Sequence, residues 1–487
     1  MNPTPDIPIS GLRASLNGNV IVPDDPGYDD ARRVFFTGFD RRPAAIVRVA
    51  DASDVSRTVN LARETGAELA VRSGGHSRAG FGTSEGGIVL DLSEMNAVEI
   101  DAEGRTAWAQ TGITAGDYTK ATGKHGLATG FGDTASVGVG GITLGGGIGF
   151  LVRKHGLTID DVLGAEVVTA DGELLEVDED THPDLFWALR GGGGNFGVAT
   201  RLRFRLHEID EVVGGMLMLP ASAEVIVGLV AAAEAAPEEL SVIANVMKAP
   251  PLPFVPAEQH GKPVVMARMV YAGDAAAGEQ AIAPVRALAT PLADMVRPIR
   301  YPEIYEKGPR PAIDGGTNVL VDGLAPGAGE TILEHLETST AQIPIVQLRV
   351  LGGAVARVPD DATAFGYRGA RLMVNVTAMD DCPEEGPEHK AWASGLATAL
   401  SDGVAAAYVG FLGDEGEQGV RRAYPPATLD RLARVKRQYD PDDLFRLNEN
   451  IRPADRDDHQ DGHHPGGSRR GGPQHGPDRP ADRRITR

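Results

Sequence analysis

Cysteine is almost absent from the sequence, with Cys382 the single one among 487 residues. One cysteine cannot form a disulfide within the chain and cannot build a cysteine-rich zinc site. This usage suits a reducing compartment, so we expect a cytoplasmic protein. Residues 1–10 contain neither a basic region nor an apolar one, and the pattern of a standard secretory signal is therefore missing.

Basic residues are few relative to acidic ones, with 47 Lys and Arg against 68 Asp and Glu and a formal net charge of -21. So acidic a surface repels phosphate backbones and anionic membranes, and we expect neither nucleic acid nor membrane as a partner. Charges or glycines interrupt every apolar stretch before it reaches the length of a membrane span. The sequence shows no internal repeat, no metal-ligating constellation, no Ser-His-Asp or Cys-His arrangement and no sign of a particular oligomeric state.

Glycine, in contrast, is abundant, with 62 residues that are concentrated between Gly74 and Gly197. Dense glycine inside a globular pattern indicates that the backbone approaches something closely or adopts positive φ angles. A cofactor that carries phosphates is a common reason. The length and the hydrophobic fraction of 42% predict two or three globular units around this segment.

A β-α-β pattern precedes the first glycine cluster. Residues 45–49 and 68–72 resemble strands, and residues 54–63 have helical spacing with Ser53 as the N-cap and Gly66 as the stop. Further strands at 88–91 and 106–110 lead to a helix at 115–125 with Thr114 as its N-cap. After about residue 210, strands alternate with alanine-rich helices such as 223–236 and 391–400, which predicts a second α+β unit.

The first motif with chemical content is RSGGHS at 72–77, where a strand ends, two glycines turn the backbone and a histidine is presented. Free backbone N–H groups in such a turn form a nest for a pyrophosphate, and a neutral imidazole beside a flavin can bond to its 8α-methyl group. A histidine that only caps the end of a strand has the same spacing, and spacing alone favours that interpretation.

Two more glycine-rich segments follow. The stretch GVGGITLGGGIG at 138–149 interleaves glycines with apolar residues, which argues against a flexible linker and for backbone that lies against a phosphate or a ring. The stretch at 192–197 matches G-x-G-x-x-G. A nicotinamide site needs a strand before that motif and a helix after it, but here a helix precedes and a strand follows, so a Rossmann site is not expected.

Together these motifs resemble the FAD-linked oxidases of the berberine bridge enzyme-like family, which have the vanillyl-alcohol oxidase type of FAD domain. The resemblance rests on VRSGGHS (71–77), TLGGGIG (143–149), DLFWALRGGGGNFGV (184–198) and the closing motif YDPDDLFRLNENI (439–451), in the family's order and spacing. It covers roughly residues 30–210 and 345–453.

The resemblance implies an α+β fold with four parts. An FAD-binding domain with two α/β subdomains is expected at 1–210, and a substrate-binding domain with a large antiparallel sheet at 211–404. Residues 405–453 are expected to complete the FAD-binding domain. Residues 454–487, which include His459, His463, His464 and His475, are mostly Gly, Pro, His, Asp and Arg and predict a disordered tail.

The resemblance also assigns the cofactor and its contacts. His76 would be joined covalently to FAD, the backbone of 72–77 would wrap the pyrophosphate, and Asn448 would contact the isoalloxazine side. The full set of expected cofactor-binding residues is His76, Arg72, Ser73, Gly74, Gly75, Ser77, Gly132, Thr134, Val137, Gly138, Gly141, Thr143, Gly146, Gly147, Gly197, Val198, Tyr408 and Asn448.

Three positions depart from the family pattern. Thr134, in GDTASVGVGG at 132–141, stands where many members have a cysteine that makes a second flavin bond, so a single attachment is expected and an oligosaccharide substrate becomes less favoured. Gly410 replaces an asparagine in the pattern Tyr-x-Asn that begins at Tyr408. Tyr367 stands where many bacterial members have a histidine before an arginine, here Arg368; a tyrosine packed in the sheet is an equal interpretation.

Flavin oxidation moves a hydride from substrate carbon to flavin N5 while a base takes an O–H or N–H proton. Tyr408 is the leading candidate for that base and Tyr367 the second, with Tyr301 and Tyr305 as further options. A tyrosine base needs a nearby cation, which Arg349 or Arg368 could supply. The expected acceptor of the electrons is dioxygen, which gives hydrogen peroxide.

Three functions are consistent with these observations. The first is an FAD-dependent oxidase of a small-molecule alcohol, amine or other secondary metabolite. The second is a sugar, oligosaccharide or aldonolactone oxidase of the same superfamily. The third is a flavin-binding protein without catalysis, which the intact cofactor motifs make the least favoured.

Overall fold

The computed structural model describes residues 7–305, 310–401, 403 and 406–455. The tail predicted to be disordered at 454–487 lies, apart from its first two residues, outside the described residues. Among the described residues, no helix combines the length and apolar composition that crossing a bilayer requires.

The described elements alternate helices and strands along the whole chain. The α-helices are α1 (Ile9–Ser15), α2 (Tyr28–Ala31), α3 (Ala52–Thr65), α4 (Ala115–Gly123), α5 (Val139–Gly145), α6 (Val152–His155), α7 (Pro183–Leu189), α8 (Ala223–Ala235), α9 (Ala275–Arg286), α10 (Ala328–Thr338), α11 (Ala354–Arg357), α12 (Gly386–Leu400), α13 (Gly416–Ala423) and α14 (Pro426–Tyr439).

The strands form three larger sheets and one two-stranded pair. They are β1 (Asn19–Ile21), β2 (Ala45–Arg48), β3 (Leu69–Arg72), β4 (Ile88–Asp91), β5 (Val98–Asp101), β6 (Thr106–Gln110), β7 (Leu127–Ala128), β8 (Val162–Val168), β9 (Leu174–Val177), β10 (Val198–Arg205), β11 (His207–Glu208), β12 (Glu211–Pro220), β13 (Leu240–Lys248), β14 (Pro263–Tyr271), β15 (Ala293–Asp294), β16 (Arg297–Arg300), β17 (Ile313–Asp314), β18 (Thr317–Val321), β19 (Ile343–Val350) and β20 (Leu372–Asp380).

The first sheet has the order β1-β2-β4-β3, in which β2, β4 and β3 run parallel. Ala45, Ile46 and Val47 of β2 are fully buried, as are Ile88 and Val89 of β4. Such unbroken apolar strands are typical of a parallel sheet that is covered on both faces. Helix α3 covers one face, and β3 ends at the glycine turn that carries His76.

The ends of helices α3 and α4 are set by residues close to them in the sequence. Asp51 caps α3 by accepting a hydrogen bond from the Asp54 N–H, so the prediction that Ser53 is the N-cap is wrong, because the helix already begins at Ala52. Gly66, with φ of 67°, ends α3 as predicted. Thr114 caps α4 as predicted, with its hydroxyl accepting from the Asp117 N–H.

The second sheet is antiparallel and has the order β5-β6-β10-β8-β9. Its core holds an aromatic cluster of Tyr118, Phe131 and Phe204, whose rings meet edge to face at 5.0–5.6 Å. Helices α7 and α14 pack into the same core through Trp187 and Leu432. The chain segment after residue 407 therefore returns to the N-terminal half of the molecule.

The third sheet is large and antiparallel, with the order β15-β12-β14-β13-β19-β20-β17 and with β16 and β18 pairing β12 and β20. All its strands lie between Glu211 and Asp380. One face carries apolar side chains that pack on α8, α9, α10 and α12. The opposite face is turned toward the first two sheets. The α+β class with a large antiparallel sheet is thus confirmed, whereas the boundaries at 210, 404 and 453 stay a prediction.

A fully buried cation organises the closing motif. The ammonium of Lys436 on α14 donates to the Asp440 carboxylate at 2.7 Å and to the carbonyl oxygens of Asn195 and Phe445, both at 2.9 Å. Asp440 in turn accepts the backbone N–H groups of Leu444 and Phe445. This network fastens the closing motif to the glycine-rich turn at 192–197.

Lys436→Met is therefore expected to destabilise the protein, because it leaves the buried Asp440 carboxylate without its cation. The loss in the free energy of unfolding should be about 3–5 kcal/mol, measured by urea denaturation. Lys120→Met is the control, since Lys120 is exposed on α4, and it should change stability by no more than about 0.5 kcal/mol. Equal effects of the two substitutions would contradict this role of Lys436.

Candidate functional site

A cavity of about 800 Å³ lies between the two smaller sheets and the third sheet. Most residues expected to bind the cofactor line it, namely Arg72, Ser73, Gly74, Gly75, His76, Ser77, Gly132, Thr134, Val137, Gly138, Gly141, Gly197, Val198, Tyr408 and Asn448. Thr143, Gly146 and Gly147 do not line it, although the Gly147 N–H donates to the hydroxyl of Tyr408, which does. The structure thus brings five separate stretches of the chain, at 72–77, 132–141, 197–198, 408 and 448, around one space.

Two of these segments touch backbone to backbone. A Cβ atom on Gly74 would lie 2.2 Å from the Gly138 nitrogen, and one on Gly138 would lie 2.0 Å from Ser73 Oγ. Real Cβ atoms do not come so close, so both positions require glycine. Ser73 fixes the same junction by donating to the Thr111 carbonyl at 2.6 Å. The turn after β3 is therefore held against the start of α5.

Arg72 lines the cavity, but its guanidinium binds other parts of the protein. It donates to the Asp91 carboxylate at 2.8 Å and to the Ala31 carbonyl at 2.7 Å, and the residue is buried. The Arg72 side chain fastens the end of β3 to β4 and α2. The expectation that 72–77 wraps a pyrophosphate therefore rests on the backbone of this turn and not on the arginine charge.

His76 projects from this turn into the cavity. Its ring stacks on Phe35 with centroids 3.9 Å apart, and its Nε2 lies 3.1 Å from the Ser136 hydroxyl. Burial lowers the pKa of His76 to about 4, although the hydrogen bond with Ser136 and the charge of Asp133 oppose that shift. The imidazole is consequently neutral at ordinary pH and has a lone pair available for a covalent bond.

Space and unpaired polar atoms in the cavity fit a bound group. A Cβ atom added to Gly141 or Gly194 would meet nothing within 4 Å. Asn448 donates to the carbonyl oxygens of Gly194 at 3.2 Å and Phe445 at 3.0 Å, while its buried Oδ1 has no partner among the described residues. A polar group bound in the cavity would satisfy that oxygen.

Tyr408 forms part of the wall beside this space and is buried. Its hydroxyl oxygen accepts the Gly147 N–H at 2.9 Å, and its backbone exchanges two hydrogen bonds with the Asn318 side chain. Burial raises the pKa of Tyr408 above its ordinary value, while the Gly147 N–H and the charge of Arg349 act in the opposite direction without reversing the shift. Arg349 is thus the cation that the sequence analysis required near this tyrosine.

The glycine at position 410 has a steric explanation. A Cβ atom there would lie 2.7 Å from the hydroxyl oxygen of Tyr408. The departure from asparagine at Gly410 is therefore coupled to the position that the Tyr408 ring occupies in this chain.

The other tyrosines lie elsewhere. Tyr367 lines a separate cavity of about 230 Å³ with Asp322 and Asp360, and does not line the large one. Tyr301 and Tyr305 pair with each other at 3.2 Å in a buried cluster outside the large cavity. The structure therefore leaves Tyr408 as the candidate base.

Arg368 also does not line the large cavity, of which Tyr408 forms part of the wall. Its two terminal nitrogens each bind the Asp160 carboxylate at 2.8 Å, and the residue is buried. This bidentate pair links the 3-10 turn at Thr158–Asp161 to the segment that holds Arg368. Of the two arginines considered from the sequence, only Arg349 lines the large cavity.

The third sheet supplies a side of the cavity that sequence analysis did not identify. Asn245 on β13, Gln347 on β19 and Asn375 on β20 stand opposite one another across the three strands. Gln347 donates to Asn245 at 3.0 Å, and Arg78 donates to Asn375 at 2.9 Å. We call Asn245, Gln347 and Asn375 the amide row. Alternate positions of each strand face the cavity, so a one-residue error in register would hide this pattern.

Polarity changes along this face of the sheet. Successive cavity-facing residues of β19 are Ile343, Ile345, Gln347 and Arg349. Arg349 binds the Asp133 carboxylate at 2.6 Å. Burial opposes ionisation of Asp133, but the charges of Arg349 and Arg268 outweigh it and lower the pKa of the carboxyl. The face therefore runs from an apolar end through the amide row to a buried ion pair.

Glu449 is a further cavity residue that the sequence analysis passed over. It follows Asn448 in the closing motif and lines the cavity. Burial, reinforced by the charges of Glu415 and Asp414, raises the pKa of Glu449 to about 8. Its carboxyl is therefore mainly protonated at neutral pH and can donate a hydrogen bond to a bound group. In the sequence, only its position one residue after Asn448 indicates that Glu449 could line the cofactor site.

Family models match two segments of the chain. An FAD binding domain model matches residues 43–178, and the model described as berberine and berberine like matches residues 407–452. These segments supply the His76 turn, the second glycine segment, Tyr408 and Asn448. The matches identify the cofactor of the cavity as FAD.

Related proteins match nearly the whole chain. (R)-6-hydroxynicotine oxidase of Paenarthrobacter nicotinovorans is 33% identical over 90% of this chain and 97% of its own length. Xylooligosaccharide oxidase of Thermothelomyces thermophilus is 30% identical over 85% of this chain and 88% of its own. The crystal structure of 6-hydroxy-D-nicotine oxidase from Arthrobacter nicotinovorans superposes with a TM-score of 0.79, at 30% identity over 90% of this chain and 99% of the other.

Gly141→Leu is expected to lower FAD affinity by at least about tenfold while the fold persists, because Gly141 lines the cavity and a Cβ atom there would meet no protein atom within 4 Å. Flavin absorbance per chain after purification measures the effect, and circular dichroism monitors the fold. Gly395→Leu is the control, since position 395 is an exposed helix site that also has open space. A Gly141→Leu protein with full flavin content would show that FAD does not bind beside α5.

Proposed function

The chain belongs to the berberine-like family of FAD-linked oxidoreductases, and from that premise we propose that it oxidises a small organic molecule, carries its FAD on His76 and returns the electrons to dioxygen. One observation carries the proposal: a single cavity brings together the His76 turn, the Tyr408 hydroxyl and the amide row. FAD, when bound there, takes a hydride from the substrate and passes two electrons to dioxygen, which gives hydrogen peroxide.

His76 is the proposed attachment point because it is neutral, partly buried and held in one orientation. Stacking on Phe35 and the contact with Ser136 restrict the ring to one orientation. The neutral His76 imidazole would hold the flavin through its 8α-methyl carbon, and dioxygen would accept the two electrons and two protons that forming this bond would release. The stretch 132–141 has Thr134 in the place of a cysteine, and so offers no sulfur for a second bond.

Tyr408 is the proposed proton acceptor. Its phenolate would be stabilised by the Gly147 N–H, which donates at 2.9 Å, and by the positive charge of Arg349. The reciprocal hydrogen bonds with Asn318 hold the Tyr408 backbone in place. The chain therefore positions a base whose ionised form is partly stabilised by these two groups, although burial still raises its pKa.

The third sheet suggests the substrate class. The amide row presents neutral donors and acceptors, and the charged Arg349 beside it is neutralised by Asp133. Beyond the amide row, the lining becomes apolar at Met247, Ile345 and Ile343. We infer an uncharged substrate with a hydroxyl, carbonyl or similar group at one end and an apolar body at the other.

A carbohydrate is the second candidate, because amide side chains also suit sugar hydroxyls and one relative is named xylooligosaccharide oxidase. Hydrogen peroxide release should be measured with a panel of apolar alcohols, cyclic amines and oligosaccharides of matched concentration. We expect the apolar hydroxylated compounds to give kcat/KM values at least about tenfold above those of the sugars. Higher activity with oligosaccharides would favour the second candidate, and no oxidation of any compound under conditions where FAD is bound would argue against the oxidase.

Tyr408→Phe should lower kcat by about 10²–10⁴-fold, the usual contribution of a general base, without loss of flavin. In the parent enzyme kcat should rise with pH, by up to about tenfold per unit, because the raised pKa of Tyr408 keeps most of the group protonated at neutral pH. That rise should disappear in Tyr408→Phe.

Tyr367→Phe is the matched control for this substitution, since Tyr367 lines the separate smaller cavity. It should leave kcat and the pH profile unchanged. If Tyr408→Phe keeps both the rate and the pH dependence of the parent, another group removes the proton.

A further inference from the structure

A cluster of three possible metal ligands lies on the far side of the third sheet from the flavin motifs. Asp380 ends β20, Glu385 immediately precedes α12, and His389 lies in the first turn of that helix. One ligand atom from each residue lies within 4.8 Å of the other two. Glu385 and His389 are four residues apart, a spacing that places two side chains on one face of a helix.

His389 is the unusual member of this cluster. Only 1% of the residue is exposed, and neither ring nitrogen has a hydrogen-bond partner among the described residues. Its Nε2 points toward Glu385, with the nearest carboxylate oxygen 3.6 Å away. Histidine nitrogens in protein interiors are normally hydrogen-bonded, so a buried ring whose two nitrogens form no hydrogen bond with the described residues indicates a missing partner.

The surroundings hold the histidine in this position. A Cβ atom on Gly315, next to β17, would lie 2.8 Å from the His389 Cβ, which means that the backbone of this strand end packs directly on the residue. The backbone at the sheet edge therefore lies in close contact with the Cβ of His389.

Asp380 is oriented toward the same point. One carboxylate oxygen accepts the Cys382 N–H at 2.9 Å and the other accepts the Gln342 N–H at 3.0 Å. A carboxylate oxygen has two lone pairs, so each still has one available for a cation. These backbone donors fix the carboxylate in the way that outer hydrogen bonds orient metal ligands.

We propose that Asp380, Glu385 and His389 bind a divalent transition-metal ion of the zinc type. An imidazole ligand favours zinc and its neighbours over calcium or magnesium, and two carboxylates neutralise the double charge of the ion. Two ligands of one tetrahedral zinc ion lie roughly 3.3 Å apart, since each metal–ligand distance is about 2.0–2.2 Å. The exposed side chain of Glu385 can rotate to close the remaining gap.

The role of this ion is structural and separate from the oxidation chemistry. It joins the end of β20 to the beginning of α12, and β20 is the strand that carries Asn375 and Thr377 into the cavity. Removal of the metal is expected to loosen this edge of the sheet and to leave the attachment of FAD unaffected.

The test is zinc binding to the full chain, produced without an affinity tag. His459, His463, His464 and His475 are replaced by Gln in every protein, because histidines of the C-terminal segment could bind metal themselves. Equilibrium dialysis against buffered Zn²⁺, followed by atomic emission, should show one zinc per chain. Glu385→Gln and His389→Gln should each weaken binding by more than about tenfold, and Glu388→Gln, an exposed carboxylate of the same helix outside the cluster, should bind as the parent does.

A second readout keeps the result independent of folding defects. Zinc should raise the unfolding temperature of the parent and of Glu388→Gln, but not that of Glu385→Gln, whose exposed side chain can change without disturbing the core. The proposal is overturned if the folded parent retains no zinc, or if Glu385→Gln and His389→Gln bind it as tightly as the parent.

Discussion

The backbone contact between Gly74 and Gly138 is the constraint on which the site depends. It brings the end of a parallel strand from the first sheet against the first turn of α5, at a distance that no side chain permits. His76, two residues after Gly74, and Ser136, two residues before Gly138, meet across this junction. The FAD cavity lies beside this contact. Glycines add no side chain to a hydrophobic core, but here their lack of a side chain permits the contact that shapes the binding site.

The two faces of the third sheet differ: one packs on helices and the other lines the cavity. Its apolar face packs on four helices and supplies the largest hydrophobic core of the described residues. Its other face carries the amide row and Arg349 into the cavity. The two halves of the molecule are joined here by polar contacts, since Arg349 binds Asp133 and Asn318 of β18 holds the backbone of Tyr408. The amide row and the residues of the flavin motifs are consequently contributed by different parts of the chain around one space.

The features that sequence could predict are those set by local chemistry. The caps at Thr114 and Gly66, the strand that leads into the His76 turn and the helix before the Gly192 segment depend on neighbours within a few residues. The contacts of the Arg72 guanidinium with Asp91 and Ala31 could not be predicted from the sequence, because these partners reach Arg72 only after the first sheet has formed. Likewise the amide row depends on the register of three strands, and two of its members, Asn245 and Gln347, are 102 residues apart in the sequence. The sequence ranks Tyr408 ahead of Tyr367 as the candidate base but does not locate either side chain, and only the tertiary structure assigns the two tyrosines to different cavities.

The central claim, that the turn after β3 delivers His76 to the flavin, can be tested by peptide mass spectrometry of the denatured, flavin-loaded protein. Trypsin cleaves after Arg72 and after Arg78, so the hexapeptide SGGHSR contains His76 as its only histidine. We expect this hexapeptide to carry covalently bound FAD. Recovery of the unmodified hexapeptide, with the flavin free or attached to another peptide, would contradict it.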